Sequence, residues 1–174
     1  MKKAPIVITG FMGCGKSEVA RCLAQRLELE MVDLDEVITK LEHRSPAQLI
    51  SEAGEPRFRA IETRTLTSLL NENRVGVIAL GGGAWIESAN RDLIAESGST
   101  SVWLDTPFTV CWKRIEADPK DRPLGKTRQQ ANELFQRRRP IYQTALIHIP
   151  VTGEETPDEL AATIQSQLRE ATTN

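Results

Sequence analysis

Short apolar runs alternate along the chain with longer stretches in which apolar residues recur at helical spacing. Five runs have the length and composition of buried strands, at residues 6–9, 31–33, 75–80, 101–104 and 147–151. After the first run, Val19, Leu23 and Leu27 recur every four residues, which is typical of one buried helix face. Strands that alternate with helices predict an α/β fold with a parallel sheet flanked by helices.

Length and composition are those of a single globular domain. The chain has 174 residues, 40% of them hydrophobic, which is enough for one core, and a second domain is not expected. We therefore expect one domain over residues 1–174. A net charge of -2 gives no general attraction to nucleic acid or to an anionic membrane, so neither partner is expected.

Cysteines and targeting signals bear on where the protein works. Cys14, Cys22 and Cys111 are widely spaced and lack the spacing of metal ligands, so we expect reduced thiols. No transmembrane run or signal peptide is recognisable, and a cytoplasmic location is expected. His43 and His148 belong to no catalytic pattern, and we expect structural roles for both.

The segment Gly10-Phe-Met-Gly-Cys-Gly-Lys16-Ser17 directly follows the first apolar run and has the spacing of a phosphate-binding P-loop. Its glycines let backbone N–H groups turn towards a phosphate, Lys16 is placed for the β- and γ-phosphates, and the Ser17 hydroxyl is a typical Mg²⁺ ligand. The alternative is a glycine-rich turn that happens to end in Lys-Ser. The order of strand, loop and helix favours a nucleoside triphosphate site.

Two acidic residues, Asp33 and Asp35, come at the carboxyl end of the second predicted strand. Alternation along a strand would point both into the crevice where open α/β sheets bind ligands. Asp33 is suited to hold Mg²⁺ through water, and Asp35 to accept a hydrogen bond from a substrate hydroxyl and to orient or deprotonate it. The alternative is that one of them, Asp35 in particular, only caps the next helix.

Two arginines lie on predicted helices beside an apolar face. Arg59 and Glu62 are three residues apart, so they are neighbours that are able to pair; taken alone, this is an ordinary solvated ion pair. Arg138 continues the apolar face of a helix that we expect to end near Pro140. It is a better ligand candidate than either neighbouring arginine.

Two further segments have the character of ligand-contacting loops. The triplet Gly81-Gly82-Gly83 ends the third apolar run and predicts a close approach of a ligand or loop to the backbone, with a flexible turn as the alternative. Residues 116–128 are charged and contain Pro and Gly, which predicts a mobile loop that closes over a bound nucleotide. Within this loop, Arg122 is placed to reach a transferring phosphate.

Taken together, these motifs resemble the shikimate kinase family. They occur in the family's order over nearly the whole chain: the P-loop, Asp33-Leu-Asp35, Phe58-Arg59-x-x-Glu62, Gly81-Gly-Gly83, Arg122-Pro-Leu124 and Arg138-x-Pro-x-Tyr142. The resemblance implies a P-loop kinase fold with a five-stranded parallel sheet, a helical substrate-binding segment at about residues 35–62 and a mobile lid at about residues 116–128.

The activity implied by the resemblance is transfer of the γ-phosphate of ATP to the 3-hydroxyl of shikimate. This step lies in the pathway to chorismate and aromatic amino acids. The resemblance further implies Mg²⁺ as cofactor, and we expect a monomer.

The resemblance also implies roles for individual residues. The catalytic residues would be Lys16, Asp35 and Arg122. The nucleotide would be bound by Gly13, Cys14, Gly15, Lys16, Ser17, Glu18, Arg114 and Arg122, with residues 152–157 on the other side of the adenine. Shikimate would be bound by Asp35, Arg59, Glu62, Gly81, Gly82, Gly83 and Arg138, where Glu62 braces Arg59. Mg²⁺ would be held by Ser17 and Asp33.

Three positions depart from the usual pattern of the family. Thr144 stands where an acid is frequent, Gly125 replaces a common second leucine in the lid, and Leu34 replaces a small or polar residue. None of them removes a group assigned to the chemistry. Two alternatives stay open: another P-loop small-molecule kinase with a gluconate-like or nucleoside monophosphate acceptor, and a catalytically silent nucleotide-binding domain.

Overall fold

The structure is a computed structural model, and it describes residues 4–72, 74–118 and 124–173. Arg122, which the sequence places in the lid, lies outside these residues.

Five parallel strands form one sheet in the order β2-β3-β1-β4-β5. The strands are β1 (Ile6–Thr9), β2 (Glu30–Asp33), β3 (Val75–Ala79), β4 (Thr100–Asp105) and β5 (Ile147–Pro150). Each of the five apolar runs therefore forms a strand within one or two residues of its predicted bounds. The runs are recognisable because β1 and β3 are buried along their whole length, as expected of central strands covered on both faces.

Eight α-helices cover the sheet within the described residues. They are α1 (Lys16–Leu27), α2 (Leu34–Glu42), α3 (Pro46–Ala53), α4 (Glu55–Asn71), α5 (Ser88–Glu96), α6 (Phe108–Ala117), α7 (Arg128–Tyr142) and α8 (Pro157–Thr173). The predicted buried face of α1 is present: Val19, Leu23 and the alanines beside them are buried. No helix in the described part of the chain is long and apolar enough to cross a membrane.

Local sequence explains where several helices begin. Ser45 accepts a hydrogen bond from the backbone of Gln48, whose side chain accepts one from the backbone of Ser45, and Pro46 is the first helical residue of α3. Thr156 and Glu159 make the same reciprocal pair at the start of α8. These capping boxes satisfy N–H groups that have no partner inside the helix.

Three neighbouring strands of the sheet present the predicted motifs. The P-loop follows β1, Asp33 ends β2 with Asp35 just after it, and the triple glycine follows β3. Because β2, β3 and β1 are adjacent and parallel, their carboxyl ends meet at one edge of the sheet. Open α/β sheets bind ligands in the crevice beyond this edge.

The segment predicted as a lid is bordered by helices that reach into it. α6 ends at Ala117 and α7 begins at Arg128, where Thr127 and Gln130 form a capping box. α7 continues through Pro140 and ends at Tyr142, which confirms the predicted end near the proline.

Candidate active site

The P-loop turns on two glycines in the left-handed region of backbone space. The φ angle is +76° at Gly13 and +95° at Gly15, values that L side chains rarely adopt. A Cβ atom at Gly13 would lie 2.6 Å from the carbonyl oxygen of Cys111 in α6, so the loop is too close to this helix for any side chain. Gly15 is the N-cap of α1, and the loop therefore leads directly into the amino end of that helix.

Lys16 and Ser17 begin α1 at the centre of the site. Nζ of Lys16 donates to the carbonyl oxygens of Gly10 and Phe11, each at 2.9 Å, so the ammonium group is folded back over the loop. The hydroxyl of Ser17 donates to Oδ2 of Asp33 at 2.5 Å. This hydrogen bond joins the start of α1 to the end of β2 and brings together the two residues predicted to hold Mg²⁺.

Asp33 and Asp35 line the same cavity, although not through strand alternation. β2 ends at Asp33, so Asp35 lies in the first turn of α2. Oδ1 of Asp33 accepts from the backbone N–H of Asp35 at 3.0 Å and of Glu36 at 3.3 Å. Asp33 is therefore the residue that caps the helix, and the alternative that Asp35 is the cap is wrong.

The triple glycine makes room for the side chains of Asp35 and Arg59. A Cβ atom at Gly81 would lie 2.6 Å from Oδ1 of Asp35, and one at Gly83 would overlap the guanidinium of Arg59. The turn is closed by a hydrogen bond of 3.2 Å from the Ala84 N–H to the Gly81 carbonyl. The predicted close approach to this backbone is therefore made by the protein's own side chains.

Arg59 is held by two acidic residues of its own helix. Its Nη1 donates to Glu62 at 2.7 Å and its Nη2 to Glu55 at 3.0 Å. The side chain of Arg59 is 13% exposed and that of Glu62 only 1%. The predicted pair is present, but it is buried and is not an ordinary solvated ion pair.

Glu62 is an acid in a poorly hydrated environment. Burial raises the pKa of its carboxyl from the ordinary value of 4.5 to about 7, against the opposing effect of Arg59. Within the described part of the chain, its Oε1 atom is buried without a hydrogen-bond partner. When the carboxyl group is ionised, its negative charge is therefore stabilised mainly by Arg59.

Arg138 lines the cavity from α7. Its Nη1 donates to the carbonyl oxygen of Gly82 at 3.2 Å, and the hydroxyl of Tyr142 donates to the same oxygen. Tyr142 is part of the motif Arg138-x-Pro-x-Tyr142, from which a binding role was predicted for the arginine only. The available signal was its spacing, because residues four apart lie on one face of a helix.

Arg139 belongs to a separate cluster. It pairs with Asp105 at the end of β4 at 2.8 Å, and Nε2 of His148 lies 3.0 Å from the same carboxylate oxygen. The ring of His148 stacks on Trp103 with the centroids 4.3 Å apart. None of these residues lines the cavity, so their contacts join β4, β5 and α7. This agrees with a structural role for His148.

A single cavity of about 820 Å³ joins these groups. Its lining includes Gly13, Lys16 and Ser17 of the P-loop as well as Asp35, Arg59 and Arg138. Its apolar wall is formed by Met12, Ile50, Phe58, Leu80, Leu124 and Leu134. The cavity therefore combines a phosphate-binding loop with a carboxylate, two guanidinium groups and an apolar surface.

Arg114 lies on the outer side of the P-loop. Its Nη1 donates to the carbonyl oxygen of Gly13 at 3.3 Å, and its side chain is exposed. The loop after β5 packs on the same helix, since a Cβ atom at Gly153 would lie 2.8 Å from Val110 of α6. Arg114 and residues 152–157 are thus both placed around α6, beside the phosphate loop.

Two residues predicted to bind nucleotide have side chains engaged elsewhere. Cys14 is buried, and its Sγ lies 3.6 Å from Nζ of Lys16. Glu18 pairs with Arg21 at 2.8 Å on the exposed side of α1. The backbone N–H of Cys14 donates to the Phe11 carbonyl at 3.2 Å, within the P-loop itself. Cys14, Cys22 and Cys111 are all free thiols, as expected.

Comparison with known proteins gives the family of the chain. A family model described as shikimate kinase matches residues 12–169. The chain belongs to the shikimate kinase family. It is 35% identical over 164 residues to the shikimate kinase of Persephonella marina, with 94% of this chain and 98% of that protein covered. It is 37% identical over 162 residues to the shikimate kinase of Streptococcus gordonii, with 91% and 97% covered.

A solved structure of the family has the same fold. Shikimate kinase from Acinetobacter baumannii in complex with shikimate superposes with a TM-score of 0.90 at 30% identity, covering 98% of this chain and 96% of that one. As a shikimate kinase family member, the chain is an enzyme that phosphorylates shikimate with ATP as co-substrate. The predicted P-loop kinase fold is confirmed, and the family assignment decides against the two alternative functions.

The three departures from the family pattern have separate structural settings. Leu34 is fully buried at the first position of α2, where it joins the core. A Cβ atom at Gly125 would lie 2.5 Å from Cε of Met12, so a leucine does not fit there without movement of the P-loop residue. Thr144 is exposed, and its hydroxyl donates to the Ile141 carbonyl at 2.7 Å.

Proposed function

We propose that shikimate binds between Asp35, Arg59 and Arg138, with its 3-hydroxyl directed at the P-loop. The observation that supports this most directly is the shared cavity, in which the phosphate-binding residues and the acceptor-binding residues face one continuous space. Phosphoryl transfer requires donor and acceptor to be close and in line, and catalysis comes largely from this positioning.

Arg59 and Arg138 would hold the shikimate carboxylate. A guanidinium group is planar and presents paired donors that match a carboxylate. The two arginines come from α4 and α7, so they approach the same space from different walls, and Glu62 fixes the orientation of Arg59 at 2.7 Å. The backbone amide of Gly82 would contact the ring between them.

Asp35 would accept a hydrogen bond from the reacting hydroxyl and act as the base or orienting group. Its position is set by the start of α2, where its N–H is held by Asp33 and its carboxylate lies against Gly81. A carboxylate within hydrogen-bond reach of the proton is the geometry that general-base catalysis requires.

Lys16 and Arg122 would offset the negative charge on the phosphoryl oxygens. The ammonium group of Lys16, which contacts two P-loop carbonyls, would turn to the β- and γ-phosphates. Arg122 would add a second cation from the lid at about residues 116–128. Fixed cations stabilise transferring phosphoryl groups more strongly inside a closed site than in water.

Ser17 and Asp33 fit a magnesium ion. Mg²⁺ takes oxygen ligands and usually combines one or two carboxylates with phosphate oxygens and water. The Ser17 hydroxyl and the Asp33 carboxylate supply two such oxygen atoms, 2.5 Å apart, and both residues line the cavity. When bound, Mg²⁺ supplies positive charge to the phosphate oxygens. Ser17 and Asp33 would hold it directly or through water.

The adenine would lie between Arg114 and residues 152–157, which both pack around α6. The same proposal includes a single domain with the substrate-binding segment at about residues 35–62, and a monomeric enzyme. The cytoplasmic location stays a prediction from the sequence.

A coupled assay with ATP, Mg²⁺ and a panel of shikimate, quinate and gluconate tests the acceptor. We expect turnover with shikimate at least about a hundredfold above the other two, because the site provides both a carboxylate clamp and hydroxyl acceptors. Proton and phosphorus NMR of the product then locate the phosphate. A phosphate on a hydroxyl other than the 3-hydroxyl, or equal turnover of gluconate, would contradict the proposed binding orientation.

A further inference from the structure

The carbonyl oxygen of Gly82 accepts two hydrogen bonds from the same face of α7. One comes from Nη1 of Arg138 at 3.2 Å and the other from the hydroxyl of Tyr142. A carbonyl oxygen has two lone pairs, so both bonds form at once. The two donors differ in surroundings: Arg138 lines the cavity, whereas Tyr142 is 1% exposed.

We propose that Tyr142 is a positioning residue that allows Arg138 to exchange the Gly82 carbonyl for the carboxylate of the substrate. The inference rests on the proposed role of Arg138 as a ligand of that carboxylate. When Arg138 turns towards the carboxylate, Gly82 keeps the hydrogen bond from Tyr142. Bound substrate would fill the cavity beside Gly82 and displace water from it. Without Tyr142, every binding event would then leave this carbonyl without a donor, and an unpaired polar group shielded from water is costly.

The surroundings of Tyr142 keep its hydroxyl in place. Its ring is stacked near Trp103 with the centroids 6.4 Å apart and the planes at 22°. Nε1 of Trp85 donates to the Ile141 carbonyl at 3.1 Å, which ties the end of α7 to the turn after the triple glycine. Burial also raises the pKa of the Tyr142 phenol well above its ordinary value, so the hydroxyl remains a neutral donor.

The same arrangement fixes the glycine turn while Arg138 changes partner. The Gly81 carbonyl is held by the Ala84 N–H at 3.2 Å, and the Gly82 carbonyl is held by Tyr142. Because a peptide unit is planar, a fixed carbonyl also fixes the direction of the N–H that follows it. The amides of Gly82 and Gly83 therefore keep their direction when the guanidinium moves.

Tyr142→Phe tests the inference because it removes the hydroxyl and keeps the ring. We expect shikimate affinity to fall about tenfold, while the KM for ATP and the kcat at saturating shikimate change by less than about twofold. Thr144→Val is the matched control: it removes a hydroxyl at the same end of α7 that donates to Ile141 and not to Gly82. The control should bind shikimate as the wild type does.

A double-mutant cycle with Arg138→Ala separates positioning from a merely structural role. In the Arg138→Ala background, water is able to take the place of the guanidinium at Gly82, and Tyr142→Phe should then change shikimate affinity by less than about twofold. The same tenfold effect in both backgrounds would overturn the inference and leave the role of Arg138 intact. Unchanged affinity in Arg138→Ala alone would overturn both the role of Arg138 and the inference built on it.

Discussion

The guanidinium of Arg59 lies 2.7 Å from a carboxylate oxygen of Glu62, whose side chain is 1% exposed. The second oxygen of Glu62 is buried and has no hydrogen-bond partner in the described part of the chain. Arg59 therefore carries most of the compensation for a buried negative charge, and its own orientation depends on the ionisation of Glu62. This couples the proposed substrate clamp to pH.

Glu62→Gln should change how the stability of the protein depends on pH. Because burial raises the pKa of Glu62 from 4.5 to about 7, the folded protein retains a proton that the unfolded chain releases between these values. The contribution of Glu62 to the free energy of unfolding therefore falls as pH rises from about 4.5 to 7 and is constant above that. The free energy of unfolding of Glu62→Gln, measured relative to that of wild type, should therefore rise by on the order of 2–3 kcal/mol between pH 4.5 and pH 7.

Urea denaturation of both proteins at pH 5 and pH 8 measures this difference. Glu55→Gln is the control, since it removes the other acidic partner of Arg59, whose side chain is 41% exposed. A stability difference between Glu62→Gln and wild type that is the same at both pH values would show that Glu62 is already ionised at pH 5.

Arg59→Lys and Arg138→Lys should each weaken shikimate binding although the charge is kept. Lysine has no planar fork, so the paired hydrogen bonds to a carboxylate are lost. We expect affinity to fall about tenfold to a hundredfold in each variant, as measured by titration at fixed ATP and Mg²⁺. Arg137→Lys, at an exposed neighbouring position, is the control. Wild-type affinity in both variants would remove the proposed clamp.

Asp35→Asn should slow phosphoryl transfer more than it weakens binding. The amide still hydrogen-bonds the hydroxyl but carries no negative charge and accepts no proton, so we expect the single-turnover rate to fall by about 10² to 10⁴. Shikimate affinity should change by less than about fivefold. Glu36→Gln alters the next carboxylate in the same helical turn and should retain the wild-type rate. An unchanged rate in Asp35→Asn would exclude Asp35 as base or orienting group.

Lys16→Met should abolish measurable transfer and preserve the fold. The side chain keeps its length but loses the cation proposed to reach the β- and γ-phosphates, so we expect no transfer above the background rate. Circular dichroism and thermal unfolding check the fold, and Lys113→Met, at an exposed position of α6, is the control. Near-normal turnover in Lys16→Met would mean that the loop does not act as a catalytic P-loop.

Much of the fold could be predicted because its signals are local. The central strands are continuous apolar runs, and the helix starts carry capping boxes such as Ser45 with Gln48. The P-loop has a fixed spacing because individual positions such as Gly13 and Gly15 adopt backbone angles that favour glycine. The predicted end of α7 near Pro140 is confirmed, with the last turn reaching Tyr142. Tertiary contacts such as the Trp85 hydrogen bond to Ile141 stabilise this last turn, and a local pattern does not contain them.

The arrangement of the site depends on contacts that a linear pattern does not contain. Asp33 and Asp35 both reach the cavity, but the boundary between β2 and α2 decides which of them caps the helix. Glu62 could be paired with Arg59 from spacing alone, yet its burial depends on how α4 packs against the rest of the fold. The two hydrogen bonds to Gly82 join residues 56 and 60 positions apart, beyond any local motif.

Because Gly81 and Gly83 have no Cβ atom, they leave space for the side chains of Asp35 and Arg59. An alanine at position 83 would take the volume that the Arg59 guanidinium occupies, and one at position 81 would press on Asp35. A homologue with either alanine would still contain every charged residue of the site. A comparison of the catalytic residues alone would therefore not distinguish it from this chain. Its activity would be lower because Asp35 or Arg59 would be displaced, although both residues would be present. Glycine at positions 81 and 83 is therefore part of what places Asp35 and Arg59 in this site.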